Sequence, residues 1–153
     1  MRKKEKEITD FKEIESILQE AEICRLGMSD GSTPYIVPLN FGYRDRALYF
    51  HTGHAGKKID ILKKNNLVCF EVDIDAEPIR SDIACDWSMK YRSVVGTGRA
   101  VFITDRGEKE RALGIIMAHY SPNRAWAYRE PSLEKACIIR VAIEEISGRA
   151  SDS

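Results

Sequence analysis

Apolar residues near the start of the chain recur at helical spacing. They share one face of a helix and are Phe11, Ile14, Ile17, Leu18 and Ala21. Asp10, followed three residues later by Glu13, is typical of a capping box at a helix start. The pattern predicts an N-terminal helix over about residues 10–22 that lays one face on the core.

Further along, the pattern becomes that of β-strands. Strand-like runs cover residues 24–29, 35–43, 47–52 and 67–72. Asp30-Gly31, between the first two runs, is a common hairpin signal. The glycines at 53 and 56 interrupt the resulting meander, and a short helix carrying Ile59, Ile61 and Leu62 leads into the fourth run. This half of the chain therefore predicts antiparallel strands with one short helical insertion.

The second half starts with a polar, poorly patterned stretch at about 73–88, which we expect to be a loop. Residues 91–104 predict one long strand bent at Gly96 and Gly98, because glycines within a strand mark bulges or bends. Asp105 is placed to cap a helix that ends at Ser121-Pro122. The apolar residues of that helix are Ala112, Leu113, Ile116, Met117 and Tyr120. Strict alternation at 137–146 predicts a last strand.

Length and composition fit one domain. A chain of 153 residues with 43% hydrophobic residues can bury a core of its own. About six strands with hairpin connections and two or three helices predict a mainly β protein. We expect a single domain over residues 1–153, in which a small Greek-key-like antiparallel barrel spans about 23–147 and the helices are appended.

The charge balance limits the partners. The chain has 24 basic and 24 acidic residues, so no excess positive field is available to hold nucleic acid or anionic lipid over a wide surface. No apolar run approaches the roughly 18 residues needed to span a bilayer, and residues 1–7 lead into no signal-type apolar segment. We expect a cytoplasmic protein that binds neither nucleic acid nor membrane.

The cysteines agree with a reducing compartment. The four cysteines are widely spaced and form no Cys-x-x-Cys pair, so reduced thiols are expected. Cys24, Cys69 and Cys137 lie in apolar, strand-like runs, where a free cysteine usually behaves as a small buried hydrophobe.

Candidate chemistry begins at Lys57 and Lys58. Two ammonium groups at a helix start add to backbone N–H groups that already attract anions, which is suited to a phosphate group. Thr52 and Ser93 can add hydroxyl donors, and Gly56 frees the backbone to approach a ligand. The alternative is that the two lysines belong to a solvated helix face.

A second unusual position is Pro38, which lies inside an apolar run. Proline removes one ladder donor, so residues 37–40 should lie at a strand edge or a bulge and leave neighbouring backbone groups unpaired. A flat heterocycle with alternating donors and acceptors would pair with those groups. The alternative is an edge strand that faces solvent.

Taken together, three segments in order resemble the flavin-binding split-barrel family that includes the pyridoxamine 5′-phosphate oxidases. These segments are residues 34–43, 47–52 and 56–60. The resemblance is closest to the 5-nitroimidazole-resistance (Nim-type) branch. It extends to residues 1–3 with 7–10, and to 24–27, 35–43, 69–73 and 90–100.

The resemblance implies an FMN-binding split β-barrel that forms a homodimer with the flavin at the subunit interface, with FAD as the alternative cofactor. It assigns to the cofactor the residues Val37, Pro38, Leu39, Asn40, Phe50, His51, Thr52, Gly56, Lys57 and Lys58. From the partner chain it implies Trp87, Tyr91 and Ser93. Trp87, Tyr91 and Trp126 are candidates for an aromatic wall over the flavin, with the hydrophobic core as their alternative place.

Two departures from the true oxidases bear on the substrate. The helix start has Gly56-Lys57-Lys58 where those enzymes carry serine, arginine and lysine, and residues 148–153 lack their arginine-leucine-x-proline terminus. The resemblance therefore favours an FMN-dependent oxidoreductase of the nitroimidazole-reductase kind, which reduces a small-molecule acceptor with electrons from a nicotinamide or other donor. The alternatives are a non-catalytic flavin carrier or sensor, and a pyridoxamine 5′-phosphate oxidase-like enzyme.

The histidines are weighed separately. His51, His54 and His119 have no carboxylate or cysteine at a fixed spacing to complete a metal site, so no metal is predicted. His51 lies on the strand that the resemblance places against the flavin, where it is the candidate catalytic residue. The alternative for His51 is a strand-end histidine bonded to the backbone, and His54 is expected in a loop.

Overall fold

The computed structural model describes residues 4–152. The short segment at residues 1–3, which contributes to the resemblance, and the final Ser153 lie outside the described residues. Within residues 4–152 the strands are β1 (Glu7–Ile8), β2 (Cys24–Ser29), β3 (Pro34–Leu39), β4 (Phe41–Arg44), β5 (Ala47–Thr52), β6 (Leu67–Ile79), β7 (Ser88–Ile103) and β8 (Cys137–Ser151). The α-helices of this part of the chain are α1 (Phe11–Glu20), α2 (Lys57–Lys64), α3 (Arg106–Tyr120) and α4 (Glu130–Lys135).

All the strands belong to one antiparallel sheet in the order β3-β2-β6-β7-β8-β5-β4, with β1 added beside β8. The two edge strands of this order, β3 and β4, are separated in the chain by Asn40 alone. Because its two edges meet at one residue, the sheet must curl back on itself. The structure thereby confirms the mainly β, antiparallel split barrel. It corrects the single strand predicted over 35–43, since the chain changes pairing partner at Asn40, from β2 to β5.

The barrel interior forms the main core. The alternation along β5 sends Leu48 and Phe50 into it, and Ala47 and Tyr49 to the outer face. Helices α1 and α2 contribute buried residues to the interior cluster. Helix α3 instead covers the outer face of β5 and β8, where Ile116 packs in a second cluster. Helix α3 therefore shields from solvent the part of the outer sheet face that β5 and β8 form.

Both predicted helix caps form. The Asp10 carboxylate accepts a 3.0 Å hydrogen bond from the Lys12 N–H at the start of α1. The Asp105 carboxylate accepts a 2.9 Å bond from the Glu108 N–H at the start of α3. Each cap satisfies one of the N–H groups that a helix start leaves without an intrahelical partner.

None of the helices in residues 4–152 is long and apolar enough to cross a membrane.

The predicted loop at 73–88 is largely wrong. Strand β6 continues to Ile79, and its far end pairs with the start of β7 beyond an irregularity between Ile74 and Glu77. Asp75 lies in that irregularity at φ 58°, in the left-handed region. This ribbon, formed by the far end of β6 and the start of β7, is held together by backbone pairing. Because most of its side chains are exposed, its sequence shows no alternation of apolar residues.

The other long strands differ from expectation in length. The last strand runs to Ser151 instead of residue 146, because its end pairs with β1 and with the start of β7. The predicted bend in β7 is present as a register shift between Thr97 and Gly98. At Gly98 a Cβ would lie 2.3 Å from the Ala142 carbonyl oxygen, so a side chain there would collide with β8.

Cys69 is a further correction. Its neighbours Val68 and Phe70 point into the barrel, and the alternation of β6 therefore places Cys69 on the exposed outer face. Cys24 and Cys137 are buried as predicted, and Cys85 is exposed. All four thiols are free.

Candidate functional site

Strand β3 presents an open backbone edge. It pairs with β2 on one side and has no strand partner on the other among the described residues. This confirms the edge position predicted for Pro38, which lies exposed opposite Arg25. Val37 and Leu39 pack against the barrel core, and Asn40 is exposed at the junction with β4. The backbone of 37–40 is therefore available to a ligand at the split of the barrel.

The start of α2 has no side-chain cap. Gly56 precedes the helix at φ 130°, a backbone conformation that favours glycine, and no side chain caps the helix there. The first N–H groups of a helix have no intrahelical partner and attract anions. Lys57 and Lys58 are the first two residues of α2, so two ammonium groups stand beside these donors.

One contact brings this helix start to β3. The Lys57 ammonium lies 5.0 Å from the centroid of the Tyr35 ring, three residues before Pro38 on the same strand. A cation over an aromatic face at this distance is attracted by the ring. The structure therefore joins two predicted parts of the site, the lysines and the proline-bearing strand.

The end of β5 lies beside the same helix. His51 is exposed and pairs with Ile138, and Thr52 pairs with Cys137. Burial raises the pKa of the Cys137 thiol, and the positive charges of Lys109, Lys58 and Lys63 oppose that rise. Lys58, Lys63 and Lys109 therefore form a cationic corner around Cys137, the cross-strand partner of Thr52.

The sequence did not reveal two members of this cationic corner. Lys63 lies five residues after Lys58 on α2, so its place on the same helix is the one signal that could have identified it. Lys109 comes from α3, and its ammonium donates to the Glu134 carbonyl at 3.2 Å. Phe50 lies on the same strand as Thr52 but is fully buried in the core, so only its backbone can contact a ligand.

Three predicted cofactor residues lie elsewhere in the fold. Trp87 is exposed, with its indole N–H donating to the Ser81 carbonyl at 2.6 Å, and Tyr91 is half-buried beneath Arg149. Ser93 pairs with Asp73 on β6. The end of β5 aligns, across β8, with Ile103 of β7, because His51 and Ile103 both pair with Ile138. Ser93 lies ten residues before Ile103, a distance of roughly 30 Å along the strand. Within this chain, these three residues lie apart from the lysines.

The remaining candidates also lie apart. Trp126 is half-buried in the segment between α3 and α4, under the Arg124 guanidinium at 4.1 Å from its ring centroid. His54 lies in the exposed loop before α2, as predicted. His119 contacts the Phe41 ring and bonds to the Ala21 carbonyl oxygen at 2.6 Å, so it ties α3 to the end of α1.

A charged cluster that sequence patterns did not reveal lies beside Pro38. The Arg25 guanidinium contacts the carboxylates of Glu71 at 3.1 Å and Asp73 at 2.9 Å. Partial burial and the neighbouring Asp73 carboxylate raise the pKa of Glu71 to about 7, against the opposing pull of Arg25. This cluster stands on the outer face of β2 and β6 and can change its charge near neutral pH.

The same outer face exposes apolar side chains. Ile36 on β3 is 66% exposed and Val95 on β7 is 47% exposed. Cys69 lies in the cross-strand row of Ile36, and Val95 lies in the row of Pro38, Arg25 and Glu71. This face therefore combines exposed apolar side chains with a paired ionic cluster.

The comparisons with known proteins agree with the fold. A family model described as pyridoxamine 5′-phosphate oxidase matches residues 10–150. A candidate 5-nitroimidazole antibiotic resistance protein from Bacteroides thetaiotaomicron is 36% identical, with 93% of this chain and 84% of that chain covered and a TM-score of 0.83.

Two other solved structures share the fold. An FAD-binding protein from Mesorhizobium loti is 25% identical, with 95% of this chain and 97% of that chain covered and a TM-score of 0.69. An FAD and heme binding protein from Mycobacterium smegmatis is 18% identical, with 97% and 74% covered and a TM-score of 0.87, and at this identity it shows the fold alone. No curated protein matches the chain significantly in sequence.

Proposed function

Because the chain belongs to the pyridoxamine 5′-phosphate oxidase family, whose members bind flavins, we propose that it is an FMN-dependent oxidoreductase that reduces a small-molecule acceptor. The observation that carries the proposal is the junction of the open β3 edge with the uncapped, lysine-bearing start of α2. A bound flavin would supply the electron transfer, while the protein supplies orientation, charge and access.

The residues present fit a flavin phosphate. The N–H groups at the start of α2 and the ammonium groups of Lys57 and Lys58 supply charge-assisted donors to one phosphate. Thr52 adds a hydroxyl from the neighbouring end of β5. FMN carries a single phosphate, which the donors at this helix start can bind, and FAD is the alternative cofactor.

The proposed assembly is a homodimer, and it is based on the predicted cofactor residues that lie far from the lysines within one chain. Trp87, Tyr91 and Ser93 reach the flavin only if a second copy supplies them, so we propose a homodimer with the flavin between the subunits. The apolar outer face around Ile36 and Val95 supports this arrangement. Two-fold dimers are the commonest closed assemblies.

The proposed acceptor is a 5-nitroimidazole or a compound of similar chemistry. The support is the 36% identity to the candidate resistance protein from Bacteroides thetaiotaomicron. His51 is exposed at the end of β5, beside the proposed phosphate site, where its side chain can position an acceptor or act as a general acid. Trp87, Tyr91 and Trp126 remain the candidates for an aromatic wall.

The free thiols support a cytoplasmic location.

An absorbance spectrum and anaerobic kinetics test the function. The purified protein should show a flavin spectrum at one flavin per chain. After reduction with dithionite, addition of a 5-nitroimidazole under anaerobic conditions should reoxidise the flavin in a stopped-flow experiment. Buffer without the acceptor is the control. A flavin that stays reduced would exclude nitroimidazole reduction and favour a carrier or sensor, and a colourless protein that does not take up FMN would exclude the flavin site itself.

A further inference from the structure

A groove of about 400 Å³ on the outer face of the sheet collects two arginines around one tyrosine. The Tyr49 hydroxyl accepts hydrogen bonds from Arg140 Nε at 3.2 Å and from Arg111 Nη1 at 3.4 Å. Tyr49 is only 4% exposed, so its position at the base of the groove is fixed by packing under α3. Arg111 reaches the groove from α3, and Arg140 lies opposite Tyr49 on β8.

The hydrogen bonding of this trio is incomplete. A tyrosine oxygen has two lone pairs and one proton. The two guanidinium groups use the lone pairs, and the proton has no acceptor among residues 4–152. Two guanidinium groups therefore converge on the Tyr49 oxygen, while the Tyr49 proton and the other guanidinium N–H groups are left to a ligand.

The charges are also unpaired. No carboxylate in the described part of the chain lies within 4.0 Å of Arg111 or Arg140, although Asp105 and Glu108 line the same groove. The Asp105 carboxylate is occupied as the cap of α3. Two neighbouring cations that share only a neutral hydroxyl repel each other, and an anion placed between them relieves the repulsion.

One wall of the groove is apolar. Val101 is 53% exposed and lies in the same cross-strand row as Arg140 and Tyr49. Phe102 and Ile103 continue this wall. A ligand that fills the groove therefore needs an apolar body beside its anionic group, since pockets of this size combine apolar walls with a few converging polar groups.

We propose that the groove formed by Tyr49, Arg111 and Arg140 binds the carboxylate or phosphate of a small acidic molecule with an apolar body. Guanidinium groups pair with either oxyanion in bidentate geometry, and Tyr49 donates its free proton to the same anion. This site is separate from the proposed phosphate site at Lys57 and Lys58, and it requires no bound flavin.

Calorimetric titration of the flavin-loaded protein in a low-salt buffer without phosphate tests the proposal. The probes are inorganic phosphate for the phosphate chemistry and benzoate for a carboxylate on an apolar body. At least one probe should bind saturably, and added salt should weaken it. Arg140→Gln and Arg111→Gln should each weaken binding by about 10- to 100-fold, because each removes a charge-assisted contact. Tyr49→Phe should weaken it less while keeping the packed ring.

Arg99→Gln is the matched control, since Arg99 lies on the same face of β7 and pairs with Glu144 outside the groove. It should leave binding unchanged, and flavin content should be equal in all variants. The proposal is overturned if neither probe saturates the site at concentrations up to about 10 mM, since a dissociation constant above this limit corresponds to a binding free energy of less than about 3 kcal/mol in magnitude. It is also overturned if Arg99→Gln weakens binding as much as Arg140→Gln, or if the groove variants lose their flavin, which would assign these arginines to the cofactor.

Discussion

The Lys57 ammonium lies 5.0 Å from the centre of the Tyr35 ring, which joins the start of α2 to the edge strand β3. The contact brings the lysine close to the strand that carries the open backbone at residues 37–40. A ligand bound at the barrel split can therefore meet backbone groups on one side and a cationic helix start on the other. The first prediction concerns this helix start.

The double substitution Lys57→Ala with Lys58→Ala should remove the flavin and leave the fold intact. It deletes two charge-assisted phosphate contacts of roughly 1.5–3 kcal/mol each, so flavin affinity should fall by about two to four decades. The measurement is flavin fluorescence during titration of the apoprotein. Lys12→Ala with Lys64→Ala, which removes two exposed lysines outside the site, is the control. A double mutant that purifies with full flavin stoichiometry would disprove the site assignment.

A second prediction tests the dimer. Val95→Asp places a charge on the exposed apolar face of β7, so it should shift sedimentation from dimer to monomer at micromolar concentration and lower the flavin content. Val101→Asp is the control, because Val101 is similarly exposed six residues further along the same strand. In the wild-type dimer, alkylation of the exposed Cys69 should be slower than in the Val95→Asp monomer. A flavin-loaded wild-type monomer would refute the interface.

A third prediction separates enzyme from carrier. His51→Ala should keep the flavin and slow acceptor reduction by roughly 10²-fold or more, the low end for loss of a general acid. Stopped-flow reoxidation with a 5-nitroimidazole measures this rate. His54→Ala is the matched control, since His54 lies three residues away in the exposed loop. Equal rates in wild type and His51→Ala would remove His51 from the mechanism.

A fourth prediction concerns Glu71. Its folded-state pKa of about 7 exceeds its ordinary value of 4.5, so between these pH values the folded protein binds more protons at this position than the unfolded chain. The free energy of unfolding therefore falls as pH rises through this window. Urea unfolding at several pH values should show Glu71→Gln gaining stability relative to wild type between pH 4.5 and about 7.

The matched control is Glu144→Gln, which removes an exposed carboxylate paired with Arg99. Its stability relative to wild type should not follow the same rise. A constant difference between Glu71→Gln and wild type across the window would contradict the raised pKa. Experiments at one protein concentration keep the contribution of any dimer constant.

The sequence determined the elements whose signal is local. Apolar spacing and Asp10 identified α1, and the sequence around Gly56 and Lys57 identified the start of α2. Pro38 predicted an edge strand because a residue without an N–H cannot serve a central ladder. Local patterns carry this information because they record which face of an element is apolar and where its backbone donors stop.

The far ends of the long strands lacked such a signal. The ribbon that extends β6 to Ile79 is held by backbone bonds to β7 and is mostly exposed, so selection for burial leaves no alternation in its sequence. The same physical reason explains Cys69. Its run is apolar, but the alternation of the strand decides which side chains enter the barrel.

Only the tertiary structure decided which polar side chains meet. Arg25 is 46 residues from Glu71, and Arg140 is 91 residues from Tyr49, yet each pair is in contact because strand order and register place their side chains together on one face of the sheet. A polar residue on an exposed face has many potential partners along a chain. The fold selects among them through long-range backbone pairing, which no local pattern records.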